Sequence, residues 1–369
     1  MYQSVSINRC IIIVQFWLYC QHLITYAYIV DQQQQDSDSN CPITCICSRY
    51  NISCTDKEQT GSDVFLPMRP ESFPDLNSVT VSGGKIGSIS GQNLFGVNSV
   101  HRNLTLLNVS NSGITEFDNE TFQGLPALRW FYLNDNSLEK VGVDPFRWNL
   151  RITRLDLSRA FSEKISVAEK QIILGNMFAS TNNHFLTLRD LFLNDNNLMV
   201  ISPNLFCKVE GLVQLHLSGN QLVQFTFDDN CLSTLQMLDL SNNNIASPSV
   251  NIWNNIQSLQ DIDISRNPLH CDCKFTSFLA KLSTQNTLNQ AQTQCATPLS
   301  LKDVSIFDVR DFGCRRSSKL VFPVLLISTL LLTVLMLRLY RTRLQRYNLP
   351  FIAGYTKLGT NEAVTPQFV

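Results

Sequence analysis

Apolar positions recur through the middle of the chain in one order, L-x-x-L-x-L-x-x-N-x-L, with a period of about 24 residues. The clearest copies are "LRWFYLNDNSL" (128–138), "LRDLFLNDNNL" (188–198), "LVQLHLSGNQL" (212–222), "LQMLDLSNNNI" (235–245) and "LQDIDISRNPL" (259–269). Degraded copies begin at Leu76 ("LNSVTVSGGKI") and Leu104 ("LTLLNVSNSGI"). A fixed period of this length predicts a solenoid of stacked coils. The alternating L-x-L predicts a short strand in each coil, with apolar side chains inward and the intervening ones outward. Stacked copies then form a parallel sheet on the concave side. At the ninth position Asn136, Asn196, Asn220, Asn243 and Asn267 turn the chain out of the strand. An Asn side chain there can satisfy backbone groups that a buried turn would orphan. Gly84, Ser112 and Ala160 replace it in three copies, so weaker turns are expected there. Phe122, Phe146, Phe206 and Trp253 recur later in the unit and are expected to fill the convex side of the core.

The copies start at positions 76, 104, 128, 152, 188, 212, 235 and 259. Only the copy from Ile152 carries a large insertion, about twelve residues long. Within the affected segment, about 160–184, Ser166-Val-Ala-Glu169 fits a helix capping box. Ile172, Ile173 and Met177 could form an apolar face, which predicts a short helix on the solenoid's flank.

The outward strand positions define a candidate partner-binding band: Trp130 and Tyr132, Arg154 and Asp156, Asp190 and Phe192, Gln214 and His216, Met237 and Asp239, then Asp261 and Asp263. Outward aromatics and Arg on adjacent strands resemble interface anchors. The alternative is that they pack against the insertion or a glycan. Asp239, Asp261 and Asp263 could be read as a calcium cluster or an acidic dyad, but Asp is common in the "LDL" and "IDI" of such strands. No nucleophile–base pair, phosphate loop or metal triad is visible, so the expectation is a non-enzyme with no cofactor and no metal.

Two apolar runs frame the repeats. Residues 10–30 follow Arg9 and end near a small-x-small site at Thr25-Tyr26-Ala27, which reads as a signal peptide over 1–27. An uncleaved anchor is the alternative. Residues 320–337 hold no charge and, as a helix, span roughly 27 Å, close to the thickness of a bilayer core. Arg338, Arg341, Arg343 and Arg346 follow and are expected to stay cytoplasmic. Of the twelve cysteines, ten lie between Cys41 and Cys314, which indicates disulfides in an exported region. The expected order is linker 28–40, N-terminal cysteine cap 41–75, repeats 76–266, C-terminal cysteine cap 267–314, juxtamembrane 315–319, transmembrane helix 320–337 and cytoplasmic tail 338–369. The expected location is the plasma membrane, single-pass type I, with the repeats extracellular.

The formal net charge of −1 and the lack of a basic face give no pointer to nucleic acid. Glycosylation sequons stand at Asn51, Asn103, Asn108 and Asn119. Asn108 takes an outward strand position, where a glycan would steer a partner toward the middle strands. Tyr355 and Leu358 in the tail fit a tyrosine-based sorting motif, so an endocytic adaptor is a further candidate partner. The terminal "TPQFV" is a poor fit to a PDZ groove, because Gln367 stands where Ser or Thr is usual.

The template is that of the leucine-rich repeat, an α/β solenoid whose coils form a horseshoe. Cys41, Cys45, Cys47 and Cys54 before the repeats resemble the N-terminal capping module of extracellular members; Cys271, Cys273, Cys295 and Cys314 resemble the C-terminal one. Each set of four allows three pairings, and a zinc cluster is the competing reading of C-x-C. The resemblance implies Cys41–Cys47, Cys45–Cys54, Cys271–Cys295 and Cys273–Cys314. Cys207 and Cys231 fall at equivalent places in adjacent coils, where they are expected either to form a staple or to remain two buried thiols. The lengthened first repeat, the sequon in "LNVSNSGI", the polar insertion, the single span and the short tail together resemble the trophoblast glycoprotein family. That resemblance implies a cell-surface modulator of Wnt/β-catenin signalling that binds an extracellular protein ligand or co-receptor. The rival expectation is an adhesion or synapse-organising protein that binds in trans.

Overall fold

The computed structural model describes residues 40–346, apart from 56, 58, 92, 180–184, 229–230, 249–255, 283–285 and 315–320. The signal peptide, Trp253, Tyr355, Leu358 and the chain's last residues lie outside the described residues. The chain divides into two units at Phe312/Gly313, and each is described by itself.

The first unit is built on one sheet of eleven strands. It opens with Cys45–Cys47 paired antiparallel to Asn51–Cys54. Every later neighbour is parallel: Ser78–Val81, Leu106–Asn108, Trp130–Tyr132, Arg154–Asp156, Asp190–Phe192, Gln214–His216, Met237–Asp239, Asp261–Asp263 and Asn286–Thr287. The alternation in the sequence explains the layering. Leu107, Phe131, Leu155, Leu191, Leu215, Leu238 and Ile262 occupy the middle of each strand and are fully buried. Their neighbours on either side face outward, apart from Asp263.

Every coil leaves its strand through one residue in the left-handed region: Gly83, Asn111, Asp135, Arg159, Asp195, Gly219, Asn242 and Arg266. Asn, Asp and Gly tolerate that conformation best. At Gly219 a Cβ atom would lie 1.9 Å from Asp195 Oδ1, so a larger residue there would require the Asp195 side chain to move. Arg159 is costly there, but its guanidinium donates to Asp135 at 2.5 Å and reaches Asp195 at 3.3 Å.

The next residue along is the ladder asparagine. Asn136 Oδ1 accepts from the amides of Ser112 and Ile114 in the preceding coil, while its Nδ2 donates to the carbonyls of Val109 and Leu133. Asn220, Asn243 and Asn267 repeat this pattern. The turns that lack Asn are repaired by neighbours, which differs from the weak turns expected there. Ser112 Oγ donates to the Val81 carbonyl, replacing the missing amide. Ala160 donates nothing from its side chain, so the Asn136 and Leu138 amides bond to the backbone carbonyls of Arg159 and Ala160 instead.

Behind the sheet runs a row of phenylalanines, Phe117, Phe122, Phe146, Phe185, Phe178 and Phe206, with ring centroids 5.2–6.4 Å apart. Phe178 comes from the insertion and Phe185 directly follows it, so the lengthened coil still supplies its share of core. The insertion helix spans Val167–Met177, and its capping box is formed in both directions between Ser166 and Glu169. The helix buries Lys170, Ile173, Leu174 and Met177. Ile172, expected on the apolar face, is 61% exposed. At 100° per residue, Ile172 is carried off the face that Lys170, Leu174 and Met177 share. Asn176 donates to the Val141 carbonyl in the coil before, and Lys170 Nζ donates to the Asn196 carbonyl in the coil after. The insertion therefore bridges its two neighbours.

Disulfides join Cys41 to Cys47, Cys45 to Cys54, Cys207 to Cys231 and Cys271 to Cys295. Cys273 and Cys314 are each disulfide-bonded as well. The second unit contains the helix Val321–Arg346. By length and composition its Leu325–Arg343 segment can cross a membrane. The helix runs nine residues beyond the apolar stretch that ends at Leu337 and takes in the basic residues after it.

Candidate concave binding face

The parallel register sets the outward side chains in rows across the sheet. One row is Asn108, Tyr132, Asp156, Phe192, His216 and Asp239. A second is Trp130, Arg154, Asp190, Gln214, Met237 and Asp261. Arg154 lies between the two aromatic rings of the first row, with its guanidinium carbon 5.8 Å from the Tyr132 centroid and 4.2 Å from that of Phe192. The Phe192 ring in turn stacks on His216 at 4.3 Å with the planes 5° apart. His216 Nδ1 lies 3.9 Å from Asp239 Oδ2. Tyr132, Arg154, Phe192, His216 and Asp239 thus form one continuous ladder over five adjoining strands.

This arrangement changes how the outward aromatics behave. They are not loose anchors; each is half-covered by the next and held in a fixed orientation. Trp130 remains the open one, at 41% exposure. The Arg154 Nε and His216 Nε2 atoms are buried by this stacking and make no hydrogen bond among the described residues.

The aspartates are less free than their outward positions imply. Asp156, Asp239 and Asp263 each accept from the amide of the Ser two residues on, closing the turn out of the strand. Asn108 does the same for Ser110. Asp263, read from sequence as outward, is buried and accepts from Asn289 Nδ2. The C-terminal cap strand Asn286–Thr287 pairs beside it, so the open face ends at Asp261. Burial alone would raise the Asp239 carboxyl, but the nearby His216 and the Ser241 amide and hydroxyl together hold it below its ordinary value. Among the described residues no group of three or more His, Cys, Asp or Glu is placed to hold a metal ion.

Of the sequons, Asn51 and Asn103 are exposed, while Asn108 and Asn119 are half-buried. Asn108 sits directly beside Tyr132 on the sheet. The strand alternation drew attention to the concave face and passed over residues flanking each coil's first apolar position. Arg102, Arg129, Arg151 and Arg189 stand there, and only stacking brings them into one row.

The family described as "Leucine rich repeat" matches residues 102–159 and, in a second form, 234–256. The chain carries leucine-rich repeats at these positions. Its repeat domain resembles the crystal structure of human 5T4, also named Wnt-activated inhibitory factor 1 and trophoblast glycoprotein. The TM-score is 0.61 at 21% identity, with 73% of this chain and 97% of that one covered. The likeness is one of fold. In sequence, human Toll-like receptor 3 is 25% identical over 146 residues and bovine Toll-like receptor 3 is 27% identical over 150 residues. Those alignments span 39% and 40% of this leucine-rich-repeat chain but only 16% of either receptor.

Proposed function

We propose that this chain is a single-pass cell-surface protein whose concave face binds a protein partner, and that it modulates Wnt/β-catenin-type signalling by engaging a co-receptor. The observation that carries the binding role is the stacked ladder Tyr132–Arg154–Phe192–His216 beside the open Trp130. Pre-ordered aromatic and Arg side chains lose little freedom on binding, which favours them as anchors. A glycan on Asn108 would cover the N-terminal side of this row and leave the middle strands open. The signalling role is supported by the shared fold with human 5T4, whose other name is Wnt-activated inhibitory factor 1. The helix within Val321–Arg346 supplies the anchor, with the repeats outside the cell. Neither a catalytic step nor a cofactor is part of this reading.

The test is Wnt reporter output in cells with and without the full-length chain, alongside Trp130→Ala combined with Phe192→Ala. Expression should change the reporter, and the double variant should lose that effect while reaching the surface at normal levels. An unchanged reporter together with clumping of expressing cells would replace signalling with adhesion. A surface-expressed double variant with full effect would move the site off the concave face.

A further inference from the structure

Beside the sheet, on the edge where each coil enters its strand, lies a groove lined by Tyr50, Asn77, Arg102, Thr105, Arg129 and Arg151, and also by Asp75 and Asn103. Asp75 is already paired with Arg49 at 2.6 Å. Arg102, Arg129 and Arg151 are all exposed, and none makes a side-chain hydrogen bond or ion pair among the described residues. The three come from successive coils. The backbone ladder Thr105–Arg129–Thr153–Arg189, joined by N–H to O bonds of 2.8 Å, carries the row on to Arg189 in the next coil. Parallel coils lie about 5 Å apart, so three guanidiniums share the groove, with Arg129 and Arg189 at equivalent places in alternate coils. Gathering unpaired like charges does not stabilise a fold, and it raises a local positive potential that attracts anions.

We propose that this edge groove binds a sulfated polysaccharide. Guanidinium groups recognise sulfate oxygens bidentately. The Asn77 and Thr105 side chains, bonded to each other at 2.8 Å, present neutral polar groups to sugar hydroxyls. Tyr50 is 52% exposed; the Arg49 guanidinium lies over its ring, 5.5 Å from the centroid, so the sugar would meet the part of the ring that Arg49 leaves uncovered. A nucleic acid is a poorer fit, because single strands need successive aromatic faces and Tyr50 is the one aromatic residue lining the groove. The choice of a sulfated sugar rests on the cell-surface placement proposed above; the groove itself is separate from the concave ladder.

The experiment uses the full-length chain in detergent micelles on immobilised heparin, with fully desulfated heparin and double-stranded RNA as comparison surfaces. It is run with and without Asn103→Gln, since a glycan there stands at the groove. Heparin should retain the chain in a salt-sensitive way, at least in the form without the glycan. Combining Arg102→Gln, Arg129→Gln and Arg151→Gln should weaken retention about tenfold or more. Combining Lys274→Gln, Lys302→Gln and Arg310→Gln, which removes the same charge elsewhere, should leave it unchanged. The Trp130→Ala/Phe192→Ala variant should bind heparin normally, which separates a failure here from a failure of the concave site. Retention equal on desulfated heparin, tighter binding to the RNA, or equal losses in the two triple variants would overturn the proposal.

Discussion

Asn196 is the ladder asparagine whose backbone carbonyl also holds the insertion helix. Its Oδ1 accepts from the amides of Ala160 and Phe161, and its Nδ2 donates to the Leu157 carbonyl. Its own carbonyl receives Lys170 Nζ at 2.9 Å. Each buried backbone group left unpaired costs about 1–3 kcal/mol. Asn196→Ala is therefore expected to destabilise the repeat domain by about 3 kcal/mol or more, read as a lower urea midpoint. An effect no larger than that of an exposed Asn, such as Asn244→Ala, would refute this. His101 provides a pH-dependent counterpart. It is buried, Nε2 lies 2.8 Å from the Met68 carbonyl, and Phe95 packs edge-on at 4.6 Å. Burial lowers its pKa, against smaller opposing pulls from Met68 and Glu71. The unfolded chain titrates near pH 6.5, so below that pH it binds a proton that the folded state refuses. The stabilising contribution is thus full above about pH 6.5 and is lost on acidification. Between pH 7.5 and 5 the wild-type urea midpoint should fall, and His101→Gln should flatten that slope.

At the scale of elements, the insertion helix shows which parts of the structure sequence could reach. Ser166 and Glu169 marked its start because a capping box needs only local spacing. Of the expected apolar face, Ile173 and Met177 are buried and Ile172 is not. Ile172 is apolar but exposed, whereas Lys170 is charged but buried against a carbonyl of the next coil. No local pattern reveals that carbonyl, since it arrives from 26 residues away. The same limit applied to the concave face. Strand alternation identified Trp130, Tyr132, Arg154, Phe192 and His216 as outward, but their stacking depends on register between coils. Likewise the turn role of Asp156 and Asp239 lay in "LDLS" itself, yet it reads as surface charge until the Asp-to-Ser amide bond is seen. Ser166→Ala should cost about 1 kcal/mol through loss of the cap. Met177→Ala should cost about 2–5 kcal/mol, while Ile172→Ala should stay within about 0.5 kcal/mol. Denaturant midpoints of the three variants order these effects, and a costly Ile172→Ala would contradict the observed face.

For the whole repeat domain, the covalent links sit at the two caps and at one place between them. The N-terminal antiparallel pair and the C-terminal strand Asn286–Thr287 close the ends of the sheet, where an exposed edge would otherwise invite pairing with other chains. Cys207–Cys231 closes a segment with a sequence separation of 24 residues. Loop entropy assigns such a bond about 3 kcal/mol. Cys207→Ala with Cys231→Ala should lower the urea midpoint accordingly, with the caps left oxidised. The placement of these bonds also decides what a protease could release. A chain cut between Cys207 and Cys231, or between Cys271 and Cys295, remains one covalent molecule under oxidising conditions. None of these four bonds spans the insertion. A cut in it leaves the N-terminal coils, with Trp130 and Arg154, attached to the rest by packing and by hydrogen bonds across the sheet. Separating the N-terminal half of the concave face from the rest would therefore need a single cleavage there and loss of the non-covalent contacts, but no reductant.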